Sequence, residues 1–150
     1  MSSRSLVSKS RKDTEQIAKN FLGRILNNKK AKHSTIVALS GELGAGKTTF
    51  VQAVGKELGI KGKMRSPTFL IIKKYTLKNI PKFNFLFHLD AYRLKSEKEL
   101  LYLGWEEIIN NAGHLVFVEW PENVAKVIPK HAKLVEIAHA GGKERHFKLK

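Results

Sequence analysis

Ile17, Phe21, Leu22, Ile25 and Leu26 recur at helical spacing and predict an amphipathic helix, with Asp13 as N-cap and Gln16 three residues on. Residues 36–39 are a short, wholly apolar run, the mark of a buried strand, and they lead into Ser40-Gly41. A second helix is expected from residue 46 to residue 58, stopped by Gly59. Residues 69–75 and 85–90 read as strands. Ser96 with Glu99 forms a capping box in front of Leu100, Leu101 and Leu103, and residues 105–111 continue helically towards Gly113. Residues 114–120 are apolar on both faces, as in a central strand. Residues 134–138 and 146–149, separated by Gly141-Gly142, predict a closing hairpin. Strands interleaved with helices mean a three-layer α/β domain.

At 150 residues the chain is expected to be one domain, its first 12 residues a flexible basic segment. A chain of this size buries ~70% of its unfolded surface and needs no disulfide or structural metal. Cysteine is absent, which excludes disulfides, cysteine catalysis and thiolate zinc sites. No apolar run is long enough to span a bilayer, and the N-terminus lacks the apolar stretch of a secretory signal, so a cytoplasmic protein is expected. Charge changes the picture more: 28 Lys and Arg against 13 Asp and Glu give a net +15. Residues 61–82 hold seven bases and no acid, whereas residues 83–122 hold seven acids and three bases. Such a balance points to phosphorylated ligands, nucleic acid or an acidic partner. No aromatic-basic recognition motif accompanies it, so a solvated lysine-rich surface is the simpler reading.

The sharpest local signal is Gly41-Glu42-Leu43-Gly44-Ala45-Gly46-Lys47-Thr48, a full G-x-x-x-x-G-K-[ST] between a buried strand and an amphipathic helix. Glycines let the backbone wrap a phosphate chain, and the helix N-terminus favours the anion. Lys47 suits the β- and γ-phosphates and the Thr48 hydroxyl suits Mg²⁺. Chance gives this pattern on the order of once in two hundred chains of this length. Asp90 and Glu119 each follow an apolar strand, at the edge where open α/β sheets place ligands. One carboxylate can hold Mg²⁺ or its water while the other orients the attacking water or takes its proton, and the sequence leaves that division open. Thr68, in Ser66-Pro67-Thr68, lies where GTPases carry a switch threonine. Trp105 reads as core, and Trp120, beside Glu119, as a stacking or partner residue. His88 precedes Asp90 by two and is readable as simply packed. Neither N-K-x-D nor D-x-x-G occurs, against a GTPase, and few arginines are available for the lid of a small-molecule kinase, the alternative that remains.

The combination GELGAGKTTF, SPTF, HLDAYRL, LGWEEII and VEWPE, in this order from about residue 13 to residue 129, resembles the TsaE (YjeE) family of small bacterial ATPases. The resemblance implies a P-loop NTPase-type sheet, mixed but mostly parallel, with a C-terminal β-hairpin. It implies a part in the threonylcarbamoyladenosine modification of tRNA, in which a TsaD–TsaB pair performs the transfer and ATP hydrolysis resets the complex, with tRNA reached indirectly and no membrane involved. Carried over by residue, Glu42, Leu43, Gly44, Ala45, Gly46, Lys47, Thr48 and Thr49 hold ATP or ADP, and Thr48 holds Mg²⁺. Thr68 matches the switch-like threonine, Asp90 the essential aspartate, Glu119 the metal-side glutamate and Trp120 the tryptophan after it. Thr14, Lys143 and Arg145 are candidate base contacts. Ala91 stands where the family commonly has leucine; that neighbour faces away from Asp90.

Overall fold

The computed structural model describes residues 3–29, 31–67 and 70–150. Its elements are β1 Arg4–Ser8, α1 Arg11–Asn27, β2 Thr35–Ser40, α2 Lys47–Glu57, β3 Ile72–Thr76, β4 Phe85–Asp90, α3 Glu97–Tyr102, α4 Trp105–Ile109, β5 His114–Glu119, a 3₁₀ segment Pro121–Val127, β6 Lys133–His139 and β7 Arg145–Leu149. The strands make one mixed sheet ordered β1-β7-β6-β2-β5-β4-β3. Its four central strands, β6, β2, β5 and β4, run parallel, and the flanking strands join antiparallel.

Burial on both faces explains the uninterrupted apolar runs of β2 and β5. Val37, Leu39, Leu115 and Phe117 pack under α1 and α2. Ile36, Val116 and Val118 face the other way, under α3, α4 and the 3₁₀ segment. Three layers result. Phe50 of α2 is fully buried between Phe21 of α1, at 5.5 Å between ring centroids, and Phe147 of β7, at 5.7 Å. Burying a side chain of this kind contributes roughly 1.5–3 kcal/mol, which fastens α2 at once to its neighbouring helix and to the C-terminal hairpin.

Four expectations need correction. Residues 1–12 are not wholly a flexible segment: Arg4–Ser8 pair with Arg145–Leu149 as an added edge strand. Periodicity missed it because five residues, mostly exposed, carry little pattern. The N-cap of α1 is Ser10, whose hydroxyl accepts from the Asp13 N–H at 3.1 Å, while Asp13 itself accepts from the Lys9 N–H at 2.9 Å. Ser96 caps α3 in position only; its hydroxyl makes no cap bond, and Glu99 instead accepts from the Lys95 N–H at 3.3 Å. β5 ends at Glu119, and Trp120 turns into the left-handed region at φ 60°. Among the described residues no helix is long and apolar enough to cross a membrane.

Candidate active site

β2 delivers its chain to the loop 41–46 at the C-terminal edge of the sheet. A β-carbon at Gly41 would collide with the Ile137 carbonyl oxygen of β6, so only glycine lets the loop leave the sheet this close to its neighbour. Gly46, at φ 107°, is the N-cap of α2 and provides no side-chain cap; the first turn holds no acid. The helix therefore starts with uncapped N–H groups and an unopposed positive dipole end, a ready anion site.

Lys47 opens that helix and is 4% exposed. Its Nζ donates to the Gly41 carbonyl and, at 3.3 Å, to the Glu42 carbonyl. It also lies 3.7 Å from the centroid of the Trp120 ring. Burial pushes its pKa below the usual lysine value, opposed by the negative charges of Glu119, Glu122 and Asp90. The left-handed turn at Trp120 aims that indole back over the loop. Such a conformation costs of order 1–3 kcal/mol in a non-glycine residue. It is held by the lysine contact, by the Tyr92 ring at 5.0 Å and by the Trp120 N–H to the Leu39 carbonyl at 3.3 Å.

Thr48 is one residue further along. Its hydroxyl donates to Glu119, with Oε2 at 2.9 Å and Oε1 at 3.1 Å. Glu119 is 3% exposed and accepts a second bond from fully buried His88, Nε2 to Oε2 at 2.5 Å. A carboxylate only accepts, so this imidazole carries its proton on Nε2; Nδ1 is buried with no hydrogen-bond partner among the described residues. Asp90 is Glu119's direct neighbour across the β4–β5 ladder. Its Oδ1 accepts from the Tyr92 N–H at 3.0 Å, and its Oδ2 lies 3.5 Å from the Ser66 hydroxyl.

Tertiary structure thus brings Lys47, Thr48, Glu119, Asp90 and Trp120 to one edge, as their strand-end positions suggested. Thr14, Thr49, Lys143 and Arg145 line a cavity of about 330 Å³ with Gly44, Ala45 and Gly46. The Thr14 hydroxyl within it already meets Ser8 Oγ at 2.7 Å, and the Arg145 guanidinium lies over the hairpin turn, donating to the Gly142 and Glu144 carbonyls. Glu42 and Leu43 are not drawn in by their side chains: Leu43 is 70% exposed, and Glu42 contributes its carbonyl. Thr68 lies outside the described residues. Trp105 is core, its indole N–H donating to the Val127 carbonyl at 2.9 Å. His88 is the residue the motif reading undervalued. The available signal was parity, because positions 88 and 90 share one face of a strand.

The model of the family described as "Threonylcarbamoyl adenosine biosynthesis protein TsaE" matches residues 8–147. The chain belongs to the TsaE family. TsaE proteins are P-loop NTPases. The chain is 38% identical over 117 residues to the tRNA threonylcarbamoyladenosine biosynthesis protein TsaE of Bacillus subtilis, covering 78% of this chain and 70% of that one. It is 33% identical over 131 residues to the TsaE protein of Treponema pallidum, covering 87% and 88%. A crystal structure of Bacillus subtilis YdiB matches with a TM-score of 0.72 and 28% identity, over 99% of this chain and 84% of that one.

Proposed function

We propose that this chain binds ATP with Mg²⁺ and hydrolyses it as the ATPase subunit of cytoplasmic tRNA threonylcarbamoyladenosine synthesis, acting with a TsaD–TsaB pair. The observation that carries this reading is the Thr48 hydroxyl at 2.9 Å from the Glu119 carboxylate. That contact couples the first turn of α2 to an acid at the end of β5. The donors are hard oxygens, a hydroxyl and a carboxylate, and Mg²⁺ is commonly held by one or two carboxylates together with substrate phosphates. When bound, Mg²⁺ supplies charge neutralisation at the β- and γ-phosphates.

The chain's own residues do the rest. Lys47 exchanges its loop carbonyls for phosphate oxygens, a replacement in kind of one set of acceptors by a more negative one. Asp90, fixed by the Tyr92 N–H, orients the attacking water and takes its proton. Glu119 keeps the metal side, with His88 fixing its carboxylate plane. The cavity lined by Thr14, Lys143 and Arg145 receives the base. Thr68 acts as the switch-like threonine, and Trp120 with Tyr92 presents the face that a partner orders.

His88 acts through Glu119, and its removal tests that part. His88→Asn, too short to reach, is expected to lower kcat about tenfold, within the 10–100-fold typical of groups that orient a ligand, with KM for ATP nearly unchanged. His88→Gln, whose amide can still donate, recovers part of the loss. Equal kcat in all three proteins would remove the positioning role.

Hydrolysis by the chain alone is expected to be slow and to rise on adding TsaD–TsaB, since a misplaced charge or switch in this chemistry costs ~10³ to 10⁵ in rate. Multiple-turnover phosphate release, measured with and without the pair, decides it. Full-speed hydrolysis indifferent to the pair would instead favour a free-standing enzyme.

A further inference from the structure

The cradle and both carboxylates sit at the C-terminal edge of the parallel strands, where ligands of such sheets belong. The opposite edge holds a second concentration of charge that cannot serve the nucleotide. Topology assembles it from six places in the sequence. Arg24 and Lys29 flank the end of α1, Lys82 precedes β4, Lys133 opens β6, Arg4 opens β1 and Lys150 follows β7. Two cavities of about 360 and 110 Å³ adjoin there, sharing Ile25, Asn28 and Lys133. Arg4, Arg24 and Lys150 line the first; Lys29, Lys82, His33 and His131 line the second. Among the described residues no aspartate or glutamate lines either.

Two of these cations are committed locally. Lys82 donates to the Ile25 and Asn28 carbonyls at 2.6 and 2.9 Å, closing α1, and Lys150 meets Glu136 at 2.5 Å. Among the described residues no carboxylate lies within ion-pair distance of Arg4, Arg24, Lys29 or Lys133. The cations crowd one another. Burial and then Arg4 push Arg24 below its usual pKa, and burial and then Lys133 do the same to Lys82. His33 and His131 stack with centroids 3.5 Å apart. A surface that gathers like charge with so little acid beside it stores repulsion, which an external polyanion relieves.

We propose that this groove binds the phosphodiester backbone of structured RNA. An acidic protein is the lesser fit, because protein interfaces are anchored by exposed apolar or aromatic side chains. Here the large apolar lining residues Phe21, Ile25, Ile36 and Leu149 are all buried. Apart from the two imidazoles, no exposed ring among the described lining residues offers a base a platform, so recognition is by phosphate and shape, with little sequence preference. The proposal is independent of the nucleotide reading, since the groove lies at the other edge of the sheet.

The test is binding of an unmodified tRNA transcript to the full chain, without nucleotide, across a salt series. Four uncommitted cations predict log Kd rising with log salt at a slope of about 3 to 4, on roughly 0.9 per phosphate neutralised. Arg24→Gln/Lys133→Gln is expected to lower that slope by about two and to weaken binding at least tenfold, with ATP binding at the far edge retained as the check on folding. Should that pair misfold, Arg4→Gln/Lys29→Gln, at two exposed positions, reads the same loss. Lys61→Gln/Lys63→Gln, in the exposed loop after α2, is expected to bind like wild type. No RNA binding at low salt would overturn the proposal. So would a wild-type slope in both groove variants, or groove variants that lose TsaD–TsaB association while keeping RNA.

Discussion

Replacing Lys47 with methionine is expected to abolish ATP binding and hydrolysis while leaving the fold at least as stable as wild type. The two halves of this result have different causes. In the proposed nucleotide complex the ammonium would be the cation nearest the β/γ-phosphates, inside a cradle otherwise built of backbone N–H groups. In the protein itself the same ammonium is 4% exposed, and burial holds its pKa below the usual 10.5. Between that lowered value and 10.5 the unfolded chain binds more protons than the folded one, so stability rises with pH through this alkaline window. Below the window both states carry the proton, and the burial penalty is present in full at neutral pH. Methionine fills the space without the charge. Calorimetric melting near neutral pH checks the stability, and nucleotide titration checks the binding. A methionine variant that still binds and turns over ATP would remove the loop from the mechanism; one that melts well below wild type would mean that the bonds to Gly41 and Glu42 outweigh burial.

Glu119→Gln and Asp90→Asn are expected to lose turnover by about 10²–10⁴, the range attributed to a positioned acid–base group, while ATP affinity changes much less. Both substitutions keep side-chain size and remove charge. Glutamine at 119 can still accept from Thr48, so the local geometry survives and the chemistry does not. The two variants separate in a magnesium titration of nucleotide binding. Loss of metal dependence is expected of Glu119→Gln, since Glu119 is the acid in contact with Thr48; Asp90→Asn should titrate like wild type. Reversed titrations would exchange the two roles.

How much of this was legible from the residues depends on the range of the interactions. The loop from Gly41 to Thr48 is a local object: its glycines, its lysine and the helix that follows need only near neighbours, and it stands where the motif put it. The buried strands β2, β4 and β5 were legible for a related reason. A strand covered on both faces must be apolar throughout, and that run survives any topology. Boundaries shifted where several polar residues competed for one cap, as Ser10 and Asp13 did at α1.

The linear chain, then, determined the glycine-rich loop, the helices and the buried strands, because backbone geometry and hydrophobic periodicity act over a few residues. Only the tertiary structure decided which acid meets Thr48, since positions 48, 88 and 119 become neighbours through strand order and register. It alone turned Trp120 back over Lys47, against the extended path that a residue before proline ordinarily takes. Sheet closure also made an edge strand of Arg4–Ser8, whose own residues hardly signal one; the backbone groups of β7 supply the pairing. The basic groove is wholly of this kind. Its cations lie up to 146 positions apart, from Arg4 to Lys150. Charge along a chain has no direction until the ends of strands and helices are brought to one edge.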